Sequence, residues 1–404
     1  MLVPEEIQSQ FPILKKTINK NRLVYFDNAA STQNPICVVG SLKNYYTNEH
    51  SNVHRGVHFL SNLATNKMEE TRVSVKDFIG AKKSCEIIFT KGTTESINII
   101  ANGFQSLLSN NDEIIVSEME HHSNIVSWQR CCDLSGATLK VAPILTSGEL
   151  DITAFNNLLS KNTKLVAITH VSNTLGVINP IEEIIQKSHL VGAQVLIDGA
   201  QAVSSINVDV KKLNVDFYVF SAHKMYGPTG VGVLYGKDSL LNKMPPYQLG
   251  GGMIKEVSFE KTTYADLPHK LESGTPNISG IIAFKNSIDF ISNLGIQNIS
   301  SHIKILLEYA TSEMLKIKGI TIYGLSKNKS GIISFNINGI HSYDIGVVLN
   351  QLGVAVRTGH HCTQPIMKHY KISGTVRISF AVYNTKEEVD LCIEAIKKAK
   401  KMLS

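Results

Sequence analysis

The sequence predicts an α/β protein. A large domain carries a mainly parallel, mixed sheet covered by helices, and a smaller α+β domain follows it. Three observations predict this. Short apolar runs, most of them rich in Val, Ile and Phe, recur between Gly, Asn and Asp. These runs are continuous rather than alternating, which suits strands buried on both faces. Helix-like segments separate them, and the pattern changes near Gly280.

In chain order, strands are expected at Glu86–Phe89, Glu113–Val116, Leu165–Ile168, Val195–Ile197, Phe217–Phe220 and Val231–Leu234. The second block opens with the helix-like stretch Ile281–Leu294. It continues through strand-like Gly331–Ile337, Gly353–Val356 and Val376–Phe380, and closes on a helix from Lys386. The Gly- and Pro-containing stretch Glu272–Gly280 reads as the junction. The large domain is therefore expected over 20–275 and the small one over 280–404, with residues 1–19 packing on the small domain.

Composition narrows the function classes. A chain of 404 residues with 43% hydrophobic and 18% charged content can bury a core without staples. The net charge of +6 is scattered. The one dense basic run, Lys397 to Lys401, reads as the solvated end of a helix, so no nucleic-acid partner is expected. Six cysteines with no CxxC and no regular spacing suit a reducing compartment. The opening MLVPEEIQSQFPIL lacks a basic start followed by an apolar run, and no window has the apolar length of a bilayer span. No membrane association is expected, and the cytoplasm is the default location; an organelle reached after loss of a transit peptide is also compatible.

In open α/β sheets, ligands bind beyond the carboxyl ends of the strands. The residues there are Thr90-Lys91-Gly92-Thr93-Thr94-Glu95, Glu120-His121-His122, His170-Val171-Ser172-Asn173, Asp198-Gly199-Ala200-Gln201 and Ser221-Ala222-His223-Lys224. Gly92-Thr93-Thr94 reads either as a helix cap or as a phosphate cradle, because free helix N–H groups and hydroxyls favour an anion. Asp198 reads as a cap, or as the partner of a pyridinium nitrogen. Lys224 follows an apolar strand, where partial desolvation would lower its pKa and suit it to a Schiff base. His122 reads as a packed histidine or as a site residue. The coincidence at adjacent strand ends favours one site for a charged, phosphorylated ring.

Other chemistries fit less well. No GxGxxG lies between a strand and a helix, since Gly227-Pro228-Thr229-Gly230-Val231-Gly232 precedes a strand. His121-His122 and His360-His361-Cys362 are adjacent residues, which rarely converge on one ion, so no metal site is expected.

The run Phe220-Ser221-Ala222-His223-Lys224-Met225-Tyr226-Gly227-Pro228-Thr229-Gly230 resembles the lysine motif of class V, fold-type I pyridoxal-phosphate enzymes. Arg357-Thr358-Gly359-His360-His361-Cys362-Thr363-Gln364-Pro365 is similar to the catalytic cysteine segment of group II (SUF-type) cysteine desulfurases. Arg55-Gly56-Val57-His58, Asp27-Asn28-Ala29-Ala30-Ser31-Thr32, Asp198-Gly199-Ala200-Gln201 and Glu272-Ser273-Gly274-Thr275-Pro276-Asn277 extend the likeness over nearly the whole chain. Two positions depart from it: Thr363 and Ser273 stand where the family usually has Ala.

The resemblance implies the following roles. Lys224 would hold pyridoxal 5'-phosphate, and Asp198 would pair with its ring nitrogen. His122 would stack on the ring, with Gln201 and Asn173 beside the ring or the substrate. Thr93, Thr94, Ser221 and His223 would bind the phosphate, and Thr275 would reach the phosphate of the other subunit in a homodimer. Arg377, with Arg357 nearby, would clamp the substrate carboxylate. Lys224, His122 and Cys362 would be the catalytic residues. Sulfur would pass from L-cysteine to Cys362, leaving L-alanine, and then to an acceptor protein of the SufE or SufU type for iron–sulfur cluster assembly. L-selenocysteine is an alternative substrate. A selenocysteine lyase, another class V enzyme or an inactive interaction module are the rival readings; the last should lack Lys224 or Cys362, and this chain has both.

Overall fold

The computed structural model describes residues 3–404. Seven strands form the large sheet. They are β1 (Ile87–Thr90), β2 (Glu113–Ser117), β3 (Thr138–Ala142), β4 (Thr163–Thr169), β5 (Gln194–Asp198), β6 (Phe217–Ser221) and β7 (Gly232–Gly236). Their order across the sheet is β1-β7-β6-β5-β4-β2-β3. β7 runs antiparallel to β1 and β6, and the other pairs are parallel. The α/β class expected from the apolar runs is the one observed.

Apolar side chains leave both faces of this sheet, which is why the runs are continuous. Leu165 and Ala167 of β4 pack with Ile97, Phe104 and Trp128 from helices α2 (Thr93–Gln105) and α3 (Ser123–Ser135). Val166 and Ile168 point the other way, into a core shared with Met68 and Val75 of α1 (Phe59–Phe78) and Phe284 of α4 (Ile278–Leu294). β3 is absent from the sequence expectation. It is an edge strand, and its run Thr138-Leu139-Lys140-Val141-Ala142 is buried only at Ala142. A polar edge discourages further strand addition, and it also erases the apolar signal.

A second sheet contains β8 (Ile320–Tyr323), β9 (Ile332–Ile337), β10 (Arg357–Gly359) and β11 (Thr375–Ser379), in the antiparallel order β8-β9-β11-β10. Helices α5 (Ile296–Leu315) and α6 (Lys386–Leu403) pack on each other, and both add buried residues to the core that the second sheet shares. The expected strand at Gly353–Val356 forms elsewhere: Val354–Ala355 pairs in parallel with Val24–Tyr25. That pairing brings Asp27 beside Ser379 at the end of β11. Upstream, Phe11 packs edge-on against Tyr226, Phe290 and Tyr383, and Gln8 Nε2 donates to the Tyr383 carbonyl at 2.7 Å. Residues 1 and 2 of the expected N-terminal packing segment lie outside the described residues. No helix among the described residues is long and apolar enough to cross a membrane.

One close approach positions the site. A Cβ added to Gly232, the first residue of β7, would lie 2.4 Å from the Gly92 Cα. The turn that opens α2 therefore rests directly on β7, where only a hydrogen fits. Gly232→Ala is expected to push that turn away, to cost about 1–3 kcal/mol by overpacking, and to weaken cofactor binding. Thermal unfolding and cofactor titration check this; parent-like values in both would show that the turn has room to move.

Candidate active site

The carboxyl ends of β1, β2, β4, β5 and β6 lie along one edge of the large sheet, because β7 alone reverses direction. A cavity of ≈ 770 Å³ opens there. Its size suits a cofactor with a small substrate. Thr93, Thr94, Asn173, Asp198, Gln201, Ser221, His223, Lys224, Arg357, Cys362 and Arg377 all line it.

One wall is the start of α2. The Thr93 N–H donates to Ser221 Oγ at 2.8 Å, and the two hydroxyls lie 2.6 Å apart. A helix N-terminus with two linked hydroxyls is a natural anion site. His223 faces it, held neutral by burial and by Lys224, with its pKa pushed down to about 4.

Lys224 ends the short turn Ala222–Lys224 directly after β6. Burial lowers its pKa; the Arg377 charge adds to this, while Asp198 opposes it. The amine is thereby biased toward the free, nucleophilic form. Asp198 ends β5 and is 4% exposed. Burial raises its pKa, and Lys224 together with the Ala200 N–H pulls it back. Gln201 Nε2 donates to the Ala29 carbonyl at 2.6 Å, which closes the cavity beside Lys224.

The far wall comes from the second sheet. Arg357 and Arg377 are direct partners across β10 and β11. Like charges in that register repel, and Asp27 offsets this with one oxygen 3.4 Å from Arg357 and the other 3.3 Å from Arg377. Arg377 is buried; its Nη1 donates to the Asn173 carbonyl at 2.8 Å, and burial pushes its pKa down to about 10. Its Nε is buried and has no partner among the described residues.

Cys362 is exposed at the cavity rim. His361 and Cys362 have φ of 52° and 58°. Two successive side chains in the left-handed region are strained, so the turn must be held from outside. The His122 N–H donates to the Cys362 carbonyl at 2.8 Å, and Asn173 Nδ2 donates to the His361 carbonyl at 2.7 Å. Thr363 Oγ1 meets Thr174 Oγ1 at 2.7 Å, so the hydroxyl that departs from the family pattern is used in this clamp. The His361 ring is buried against Thr375 and kept neutral by burial, its pKa pushed down to about 3.

One assignment changes. His122 does not line the cavity: its Nε2 accepts from the Gln364 N–H at 3.0 Å. His121 stands in the cavity instead, with Nδ1 2.8 Å from Ser123 Oγ and its pKa pushed down to about 4 by burial and by Lys224. The two neighbours sit on the tight turn into α3 and point apart, which the pair His121-His122 alone does not resolve. Thr275 does not line this cavity; it lines an adjoining one that shares Lys91, Glu95 and Gln248 with it, and its expected role is toward the other subunit. Asp27 is a further functional residue without a role in the sequence reading.

The donor set fits pyridoxal phosphate. The α2 start and Ser221 suit a phosphate, Asp198 a protonated ring nitrogen, Lys224 an aldehyde, and the orphaned Arg377 Nε a further acceptor. Fold and site together define a fold-type I pyridoxal-phosphate enzyme. The chain belongs to the class-V aminotransferase family, whose profile matches residues 24–392. It is 48% identical over 402 residues to a cysteine desulfurase of Wigglesworthia glossinidia brevipalpis, covering 99% of this chain and 98% of that one. With a cysteine desulfurase of Dickeya dadantii the identity is 44% over 401 residues, covering 99% and 97%. The fold superposes on the apo cysteine desulfurase of Thermococcus onnurineus NA1 with a TM-score of 0.95 at 38% identity, covering 100% and 99%. For the Escherichia coli cysteine desulfurase CsdA the TM-score is 0.93 at 34% identity, covering all of both chains.

Proposed function

We propose that the protein is a cysteine desulfurase that moves sulfur from L-cysteine to its own Cys362 and releases L-alanine. The observation that carries this is the meeting of Lys224, Arg377 and Cys362 in one cavity. Bound there, pyridoxal phosphate supplies an electron sink for the substrate Cα. His121 would stack on the ring, and Asp198 would keep the ring nitrogen protonated. Arg377, aimed by Asp27 and Asn173, orients the substrate carboxylate, with Arg357 at the rim. Lys224, its amine favoured by burial, moves the Cα proton. Cys362 Sγ, as thiolate, attacks the substrate sulfur. An S–S bond forms as the substrate C–S bond breaks. The C–S electron pair stays with the carbon skeleton, which takes up a proton and leaves as L-alanine.

Exposure of Cys362 supports delivery to a docking protein, here an acceptor of the SufE or SufU type feeding iron–sulfur cluster assembly. The assay is incubation with L-cysteine and measurement of alanine and sulfide. Activity on L-selenocysteine with none on L-cysteine would make the protein a selenocysteine lyase instead.

A homodimer with shared sites is part of the same reading, because Thr275 lies outside its own chain's cavity. In a mixed dimer of Lys224→Ala and Thr275→Ala chains, supply from the partner leaves one pocket with both lesions and one intact. About half of the parent's specific activity is then expected from isolated mixed dimers. Activity no higher than that of the Thr275→Ala homodimer would show that Thr275 serves its own chain.

A further inference from the structure

Behind the site lies a carboxyl group that touches none of the groups named for the chemistry. Glu120 is 0% exposed, at the carboxyl end of β2 and directly before His121. Its Oε1 accepts from Ser117 Oγ and from the Thr169 N–H, the latter at 3.0 Å. Its Oε2 accepts from Asn124 Nδ2 at 2.6 Å. Thr169 continues the network, with its Oγ1 2.9 Å from the Val171 carbonyl and 3.4 Å from the Asp198 carbonyl. The Asn124 N–H donates to the His121 carbonyl at 2.8 Å. One carboxyl group therefore ties the segments that carry His121, Asn173 and Asp198.

The donor inventory shows why a carboxyl is needed. Trp128 Nε1 can only donate, and it reaches Asn124 Oδ1 at 2.9 Å. This turns the Asn124 amide N–H groups toward Glu120. The Thr169 N–H is likewise an obligate donor. Each carboxyl oxygen thus faces a donor that cannot reverse its role. Burial pushes the carboxyl up to about 8. Its acid form still fits, because Ser117 Oγ can turn from donor to acceptor. A glutamine does not fit: its NH2 must face either Asn124 or Thr169, N–H against N–H.

We propose that Glu120 is a positioning residue that sets the places of His121, which would stack on the cofactor ring, and Asp198, which would pair with the ring nitrogen. The inference rests on the proposed contacts of the ring with those two residues and not on the identity of the substrate. A parent protein without visible cofactor absorbance would defeat that placement of the ring; the outcomes below test Glu120 itself.

The experiment compares Glu120→Gln with the double variant Glu120→Gln/Asn124→Asp. In the double variant the carboxylate introduced at position 124 accepts from Trp128 and from the amide introduced at position 120. The oxygen of that amide accepts from Thr169 and Ser117, so every group is paired again. Three quantities are read: cofactor bound per chain, the position of the visible absorption maximum, and kcat per bound cofactor. Glu120→Gln is expected to shift the maximum and to lower kcat by about 10- to 100-fold, the range for misplaced groups, with KM changed far less. The double variant is expected to regain most of both. A parent-like maximum and kcat per bound cofactor in Glu120→Gln, even with a lowered Tm, would overturn the proposal and leave Glu120 a purely structural residue. If Glu120→Gln yields no soluble protein, Ser117→Ala removes one donor and keeps the carboxyl. It is expected to move the maximum in the same direction, and an unmoved maximum there would equally overturn the proposal.

Discussion

Lys224→Ala is expected to lose the visible absorbance of lysine-bound cofactor and to lower turnover by at least about 10³-fold, the combined weight of a covalent anchor and a positioned base. The lysine sits on a short turn after β6. Burial lowers its pKa, which favours the free amine the role requires. Cofactor should still associate, because the α2 start, Ser221 and Asp198 remain, so the loss is one of covalent linkage and turnover rather than of all binding. An unchanged spectrum with normal alanine release would remove Lys224 from the mechanism. So would restoration of turnover by Lys224→Arg, since a guanidinium cannot serve as the base.

Cys362→Ser is expected to keep parent-like cofactor absorbance and to lose at least about 10³-fold in desulfuration of L-cysteine, because a hydroxyl is a poor nucleophile toward sulfur. Mass spectrometry of the cysteine-treated parent should place the added sulfur on Cys362. The other thiols are poorly suited. Cys131, Cys132 and Cys392 are buried, with thiols pushed up to about 12, 11 and 12. Cys37 is exposed and Cys85 half-buried, but neither lines the cavity. Sulfur found on Cys37 or Cys131 in place of Cys362 would move the reaction elsewhere.

Much of this architecture was legible in the sequence because burial on both faces writes continuous apolar runs. The strand ends followed from those runs, and with them Thr93, Asp198, Ser221 and Lys224. β3 escaped because an edge strand needs only one apolar anchor, Ala142. The strand at Val354–Ala355 was legible, but its partner was not, since pairing with Val24–Tyr25 spans most of the chain. His121 and His122 defeated the reading for a local reason. On a turn, neighbouring side chains diverge, and only the tertiary contact of His122 with Gln364 decides which one faces the cavity. Asp27 carries no signal as a single residue; its role appears when β10 and β11 set two guanidinium groups side by side.

The clamp on the Cys362 turn has a further consequence. Its donors, the His122 N–H and Asn173 Nδ2, stand at strand ends of the cofactor-bearing sheet, although Cys362 follows a strand of the other sheet. In engineering language, the thiol is indexed to the same datum as Lys224 and Asp198. Small errors in how the two sheets seat against each other do not accumulate along the path from ring to sulfur. Any shift of the second sheet would have to break these two hydrogen bonds before it carried the thiol away from Lys224 and Asp198.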